Sequence, residues 1–389
     1  MTDSGEEGRL PTKFSRGTSM PNRRSFIRTV TGAAAGLAVS RSFPDADAQE
    51  RRGGQGRGQA PRASAAVTRR EVQIGGRRVR VVDVHAHATV DEVKPVVANT
   101  EFARNAGGRP LDMERIQEMD RRGIDVQVLS INGYWWYAVK DRALADKIVH
   151  AADDGLAAWC KQHPTRFVAL TSPSLQFPDL AAAQVERAVN QLGHRGASVG
   201  GHVEGESLSS PKFDPFWAKL QDLGVPVFMH PGGADNVLKE NAWEGSRGDL
   251  GNIIGNPLET TVFLTRLIFD GTLDKFPNLK VVAAHGGGYL PSYLGRTEVA
   301  CQVRGNANCA NKKKPSAYFK DQIIVDAMVF SPEGVRHLVE EVGPTQVVYG
   351  TDIPILAWPD AVDNILAAKI PDDQKEMILG GNLTRLLKL

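Results

Sequence analysis

The sequence predicts an α/β fold in which eight strands and the helices between them form a TIM-type (β/α)8 barrel. Apolar or β-branched runs of strand length alternate with helical patterns along most of the 389 residues, and that alternation is typical of parallel strands joined by crossover helices. Eight such units are the number that closes a barrel. No glycine-rich phosphate loop follows the first run, which disfavours an open doubly wound sheet, the structural alternative.

The N-terminal residues have the order of parts found in an export signal. A pair of arginines at 23–24 precedes a mild apolar run, and Ala46-Asp47-Ala48 places small residues where a signal peptidase cleaves. Paired arginines before such a run are typical of twin-arginine signals. We therefore predict a twin-arginine signal peptide over residues 1–48 and a periplasmic or secreted protein, with a disordered basic tail as the alternative. In an oxidising compartment, Cys301 and Cys309 are close enough in sequence to pair.

Residues 49–70 are rich in Arg and Gly, and we interpret them as a disordered linker. Residues 1–48 have a net charge of +2, and residues 49–80, with nine Arg and two Glu, have a net charge of +7. Because the whole chain has a net charge of only +2, residues 81–389 carry −7 and are acidic. No aromatic or helical pattern accompanies the arginines, which favours a solvated linker over a binding arm. An acidic barrel argues against nucleic acid as a partner. No apolar run of 18 residues occurs, which argues against stable membrane insertion after signal cleavage.

The predicted barrel domain covers residues 71–389 and begins with a short β-hairpin, because Gly75-Gly76 separates two β-rich runs. The eight barrel strands are predicted at Val79–Val84, Ile124–Ile131, Phe167–Thr171, Ala197–Gly200, Val225–Met229, Leu279–Ala284, Gln322–Val325 and Val347–Tyr349. The main helical patterns between them are Met113–Arg122, Leu144–Gln162, Leu180–Leu192, Pro215–Leu223, Leu258–Leu273 and Glu333–Glu341.

Five of the nine histidines directly follow predicted strands. The polar side chains at strand ends are His85 and His87 after the first strand, His202 after the fourth, His230 after the fifth, His285 after the sixth and Asp352 after the eighth. In a barrel, these strand ends converge on one mouth, where active sites lie. Imidazole and carboxylate are the usual ligands of a catalytic divalent metal, and residues two apart on a strand share one face. The pattern therefore predicts a metal site at the mouth.

The same strand ends carry sequence motifs of a known family. The motifs are Val82-Asp83-Val84-His85-Ala86-His87, Met229-His230-Pro231, His285-Gly286-Gly287-Gly288 with Leu294-Gly295-Arg296, and Gly350-Thr351-Asp352-Ile353-Pro354. Through them, the chain from about residue 81 to its end resembles the amidohydrolase-related family of the amidohydrolase superfamily, which contains 2-amino-3-carboxymuconate-6-semialdehyde decarboxylase. The resemblance implies a barrel of the metal-dependent hydrolase kind.

The resemblance also implies roles for the strand-end residues. It makes His85, His87, His230 and Asp352 the ligands of one divalent ion, with Zn²⁺ expected before Mn²⁺, and it gives His285 an acid/base role toward water at the metal. Two-metal members of the superfamily place a bridging Lys or Glu at the fourth strand. This chain has neither there, which favours a single metal ion.

Relatives in this family bind the substrate's carboxylate through arginines, some of which reach across a dimer interface. The resemblance therefore implies a homodimer. Arg296 and Arg304 match two of these arginines in spacing, and Arg104 matches a third more loosely. His202 is a candidate for the pocket wall. For each arginine a surface ion pair is the alternative, and for His202 a loop histidine.

Together, these expectations describe a non-oxidative decarboxylase of an aromatic or unsaturated carboxylic acid. Hydrolysis of a lactone, amide or ester by the same metal centre is the alternative, since the metal ligands suit both reactions. A third hypothesis is a barrel that binds a ligand without catalysing a reaction. The presence of all five metal-site side chains disfavours it.

Overall fold

The computed structural model describes residues 68–389 except 109, 233, 235–246 and 355–360. The predicted signal peptide and the predicted linker up to residue 67 lie outside the described residues and stay predictions. The last linker residues are described, and Arg69 forms a salt bridge with Asp125 while Arg70 forms one with Asp363. In the described part of the chain, no helix is both long and apolar enough to cross a membrane.

The predicted N-terminal hairpin is present. β1 (Gln73–Ile74) pairs antiparallel with β2 (Arg77–Arg78). Gly75 and Gly76 connect the two strands with φ angles of 56° and 76°. Two successive residues with positive φ form a tight turn whose twist matches that of the strands on either side. Glycine adopts positive φ angles without strain.

All eight predicted barrel strands are present, and they pair in parallel. They are β3 (Val82–His87), β4 (Val126–Ser130), β5 (Phe167–Ala169), β6 (Ala197–Val199), β9 (Val227–Met229), β10 (Val281–Ala283), β11 (Ile323–Asp326) and β12 (Val347–Val348), with a separate hairpin of β7 (His202–Val203) and β8 (Glu206–Ser207). One sheet has the order β3-β4-β5, and the other has the order β6-β9-β10-β11-β12. Parallel bridges from Thr171 to Ala197 and from Ala86 to Ile353 join the sheets at both edges, so the ring is complete.

The helices connect these strands, and the predicted helical patterns are confirmed with ends shifted by a few residues. In chain order the α-helices are α1 (Val93–Val97), α2 (Met113–Arg122), α3 (Arg142–Gln162), α4 (Pro178–Leu192), α5 (Asp214–Leu223), α6 (Asn256–Phe269), α7 (Thr272–Lys275), α8 (Leu294–Val303), α9 (Pro315–Tyr318), α10 (Pro332–Val342), α11 (Ala361–Ala367), α12 (Asp372–Glu376) and α13 (Asn382–Leu387). The helix predicted to run to Leu273 instead breaks at Gly271. That glycine has a φ of 78°, and a left-handed residue ends a right-handed helix.

The C-terminal helix closes one end of the barrel. Leu383 and Leu387 of α13 are buried among side chains that point into the barrel, such as Val82 and Val348. The turn before α13 contacts the backbone of Arg80, just before β3 begins. The N-terminal ends of the strands are therefore covered, and the C-terminal ends form the open mouth.

An irregularity in β3 directs two histidines into that mouth. Between paired positions, β3 contains Val84 and His85 where β4 contains only Val128, which makes a β-bulge. The bulge shifts the alternation of side chains by one residue. Val84 consequently faces the barrel interior, and His85 and His87 face it as well.

Candidate metal centre

Four side chains from three strand ends converge at the mouth. One donor atom from each of His85, His87, His230 and Asp352 lies within 4.8 Å of the others. The Nε2 atoms of His85 and His87 are 3.2 Å apart, and Oδ1 of Asp352 is 2.7 Å from Nε2 of His87 and 3.9 Å from Nε2 of His230. Donors that bind one ion at about 2.1 Å lie about 3–3.4 Å from each other. The separations therefore match a shared ion.

The burial and hydrogen bonding of these donors also fit a bound cation. The side chain of His85 is 0% exposed and that of Asp352 is 7% exposed. Both ring nitrogens of His230 are buried without a hydrogen-bond partner in the described part of the chain, and a buried polar atom left unpaired costs about 1–3 kcal/mol. A divalent ion would provide a partner for one ring nitrogen of His230 and would lie between the Nε2 atoms of His85 and His87. The predicted divalent metal site is therefore present.

Charges within the cluster shift the pKa values of its members in opposite directions. Burial disfavours protonation of His85, but the carboxylates of Asp352 and Asp326 outweigh burial and raise the pKa of His85 to about 10. Burial and the neighbouring His87 hold the pKa of His230 well below its usual value. Burial disfavours the anion of Asp352, yet His85 and His87 hold the pKa of this carboxyl below its ordinary range. Asp352 is thus the anionic ligand.

His285 lies beside the metal ligands. Its ring centroid is 5.2 Å from that of His85 and 5.3 Å from that of His230. It lines a cavity of about 210 Å³ together with Asp352 and Phe330. Burial lowers the pKa of His285 to about 4, so the ring is neutral at neutral pH. Its Nδ1 is buried without a hydrogen-bond partner among the described residues. A neutral ring at a cavity is able to accept a proton from a bound molecule.

The backbone adopts unfavourable angles at two positions of the site. His285 and Asp352 have φ angles of 56° and 59°, which cost a residue other than glycine roughly 1–3 kcal/mol. Three glycines with positive φ follow His285, and a Cβ at Gly288 would lie 2.2 Å from the carbonyl oxygen of Pro257. The chain therefore turns tightly after His285, and only glycine fits at position 288.

Asp326, at the end of β11, holds the ring of His85 on the side away from the other metal ligands, and it was not predicted from the sequence. Oδ2 of Asp326 accepts a hydrogen bond from Nδ1 of His85 at 2.7 Å. Oδ1 accepts hydrogen bonds from the backbone N–H groups of Gly286 at 2.9 Å and Met328 at 3.2 Å. The bond from Nδ1 fixes the ring of His85 and leaves Nε2 as the metal donor. The available signal was a carboxylate that ends a buried strand in Ile323-Ile324-Val325-Asp326.

Asp326→Asn is expected to weaken metal binding by about 10–100-fold, the usual effect of losing an outer carboxylate partner. Both carboxylate oxygens of Asp326 accept hydrogen bonds from N–H groups. In the asparagine variant an –NH2 group replaces one of these oxygens, and it then faces another hydrogen-bond donor. A competition titration with a chelator measures the affinity. An unchanged affinity would show that Asp326 does not hold His85 in place.

Two other buried carboxylates hold the backbone of the metal-binding segments. Asp83 accepts hydrogen bonds from the backbone N–H groups of His85 at 3.0 Å and Thr351 at 3.1 Å, which ties the first strand to the segment of Asp352. Burial raises the pKa of Asp83 to about 6 in spite of these bonds. Glu259 of α6 accepts from the backbone N–H of Gly232, two residues beyond His230, at 3.1 Å. Neither carboxylate was predicted as a site residue from the sequence.

Within one chain, the four residues predicted to bind the substrate do not lie together at one site. Arg104, Arg296 and Arg304 are exposed. His202 is half-buried, and its Nδ1 accepts a hydrogen bond from the N–H of Gly205 at 2.9 Å. Among the described residues, the cavity that His202 lines includes none of the four metal ligands. The roles of these four residues therefore stay predictions.

Cys301 and Cys309 form a disulfide, with their Cα atoms 6.0 Å apart. The sequence left this pairing open. The disulfide joins the last turn of α8 to the loop that follows it, close to Arg304.

Known proteins resemble this chain over most of its length. A sequence model of the family described as Amidohydrolase matches residues 82–389. The chain is 32% identical over 291 residues to 2-amino-3-carboxymuconate-6-semialdehyde decarboxylase of Dictyostelium discoideum, covering 71% of this chain and 76% of the relative. It is 31% identical over 293 residues to gamma-resorcylate decarboxylase of Rhizobium sp., covering 72% of this chain and 89% of the relative.

Solved structures show the same likeness. A dihydroxybenzoic acid decarboxylase from Polaromonas sp. JS666, with bound manganese and the inhibitor 2-nitroresorcinol, superposes with a TM-score of 0.69 at 27% identity. The match covers 80% of this chain and 97% of that chain. All three of these proteins are decarboxylases. The residues that the family model matches include the four metal ligands and His285.

Proposed function

Because the chain belongs to the amidohydrolase family, we propose that it is a metal-dependent, non-oxidative decarboxylase of an aromatic or unsaturated carboxylic acid. The convergence of three histidines and one aspartate on a single point, with His285 beside them at a cavity, carries this proposal. The shared reaction class of the similar proteins supports it.

The reaction breaks the bond between the substrate carbon and its carboxyl group. Carbon dioxide leaves, the electron pair stays on the substrate carbon, and a proton takes the place of the carboxyl group, so no oxidant or reductant is consumed. The three histidines and Asp352 would hold a divalent ion, which would supply Lewis-acid chemistry to a bound substrate. The neutral ring of His285 takes up a proton at the cavity and returns it to the substrate carbon.

We propose Zn²⁺ as the ion because three of the four ligands are imidazoles, which suit zinc. Manganese is the alternative, since it is bound in the Polaromonas structure. Elemental analysis of the purified protein, followed by reconstitution of the metal-free protein with each ion, decides between them. Higher activity with Mn²⁺ would contradict the choice of zinc.

Release of carbon dioxide tests the proposed reaction. The metal-loaded protein is incubated with hydroxybenzoates and unsaturated dicarboxylic acids, and in parallel with lactones, amides and esters. Carbon dioxide released in equal amount to the decarboxylated product supports the proposal. Hydrolysis of a lactone, amide or ester without carbon dioxide release would replace it with the hydrolase alternative.

We propose that the chain forms a homodimer through α8 and the residue that precedes it. Tyr293, Val299 and Val303 are apolar side chains with exposed fractions of 60%, 45% and 72%, and Arg296 lies on the same helix. Burial of these side chains against a second copy would be favourable, and it would bring Arg296 into an interface, as the carboxylate role requires. Sedimentation velocity checks the proposal, and the mass of a single chain would exclude it.

We propose that the protein is exported through the twin-arginine pathway, because Arg23 and Arg24 precede a mild apolar run. The disulfide between Cys301 and Cys309 supports this proposal, since disulfides persist in oxidising compartments. Replacing Arg23 and Arg24 with lysines is expected to keep the protein in the cytoplasm. Fractionation of cells followed by immunoblotting measures the outcome, and undiminished export of the variant would exclude this pathway.

A further inference from the structure

We propose that a second cavity at the mouth, next to His87, receives an apolar substituent of the substrate. This inference rests on the proposed function, because it concerns the substrate of the same metal centre. The cavity has a volume of about 220 Å³. We call it the tryptophan cavity, since Trp135 and Trp136 line it together with aliphatic side chains such as Val90, Ile131 and Ile148.

The tryptophan cavity lies at the same end of the barrel as the metal ligands. Thr89, Asn132 and Ser172 line it, and they lie just beyond the C-terminal ends of the first three barrel strands. Active sites of such barrels are built from these loops. Helix α3 provides the far wall through Val149 and Ala152. The cavity is therefore placed where a substrate bound at the metal is able to extend.

Asn132 connects the tryptophan cavity with the metal centre. It lines the cavity, and its Nδ2 lies 3.1 Å from Nε2 of His87, the nitrogen that faces the shared ion. Ser130 donates a hydrogen bond from its hydroxyl to Oδ1 of Asn132 at 3.2 Å, which orients the amide. None of the four metal ligands is among the described residues that line the tryptophan cavity itself, so Asn132 is the residue that joins its wall to His87.

The lining determines the chemical class of the substituent. In the described part of the chain, no charged side chain lines the tryptophan cavity. A charged group would lose much of its hydration there without gaining an oppositely charged partner, whereas an alkyl group gains about fourfold in binding for each buried methylene. The rings of Trp135 and Trp136 meet edge to face with centroids 5.6 Å apart, an arrangement that gives the cavity a rigid wall. The structure therefore favours an alkylated aromatic acid.

Variants of α3 test the inference through substrate preference. Ala152→Leu fills the cavity from its far wall, and Val149→Ala enlarges it. The kcat/KM is measured for 2-hydroxybenzoate and its 3- and 4-propyl derivatives. Ala152→Leu is expected to lower the ratio of propylated to unsubstituted substrate by about 10–200-fold, and Val149→Ala is expected to shift preference toward longer chains. Ala143→Leu is the matched control, because Ala143 is exposed on the same helix, and it should leave every ratio unchanged.

A binding measurement separates this inference from the proposed function. Calorimetric titration with phenol, 2-propylphenol and 3-propylphenol requires no turnover. The wild-type protein is expected to bind one of the propylphenols at least about tenfold more tightly than phenol, and Ala152→Leu should abolish that difference. If the difference is found but no acid releases carbon dioxide, the proposed function fails and the cavity assignment stands. Equal affinity of the wild-type protein for all three phenols would overturn the cavity assignment, whatever reaction the protein performs.

Discussion

His285→Ala is expected to lower kcat by about 10²–10⁴-fold while the protein keeps its metal. The ring of His285 is neutral and lines the cavity with Asp352, so its loss removes the group that takes up and returns the proton. His285 is not one of the four residues whose donor atoms converge, so the metal should stay bound. Its centroid lies 5.2 Å from the nearest of the ligand rings, which places it beside the ion's donors.

Two measurements on the purified His285→Ala variant test the role. Metal content per chain is determined by elemental analysis, and kcat is determined with an active substrate. His150→Ala is the matched control, because His150 lies on the outside of α3 with its side chain 37% exposed. Loss of metal together with activity would make His285 a ligand. Retention of both would mean that another group moves the proton.

Asp352→Ala is expected to remove both metal and activity. Asp352 provides the one carboxylate in a set otherwise made of imidazoles, and its Oδ1 lies within 4 Å of the ring nitrogens of His85, His87 and His230. Loss of an outer partner such as Asp326 reduces affinity by about 10–100-fold, and loss of a direct anionic ligand should exceed that range. Activity should then fall below detection without added metal.

Metal affinity of Asp352→Ala is measured by competition with a chelator, and activity is measured over a range of added metal. Asp321→Ala is the control, because Asp321 is 58% exposed and pairs with Lys280 at the other end of the barrel strands. Normal metal content in an inactive Asp352→Ala protein would reassign Asp352 from ligand to acid/base group. Comparison with His285→Ala then separates metal binding from proton transfer, since only one of the two variants should lose the metal.

Much of the fold could be predicted from the local pattern of apolar residues in the sequence. The alternation of apolar runs and helical periodicities reflects which face of each segment is buried, and that property belongs to neighbouring residues. The predicted eight strands are therefore all found. The positions of His85, His230 and Asp352 at strand ends could be predicted in the same way, because the C-terminal ends of parallel barrel strands necessarily meet at one mouth.

The sequence by itself thus determined the order of strands and helices, the end of the barrel that carries the site, and the metal-ligand types. Only the tertiary structure decided which groups support them. Asp326 meets His85 across 241 residues, and Asp83 meets Thr351 across 268. The bulge that turns His85 inward depends on pairing with β4, and the tryptophan cavity depends on three loops and α3 closing together. Such contacts follow from closure of the ring, because residues far apart in the chain become neighbours only when the first and last strands meet.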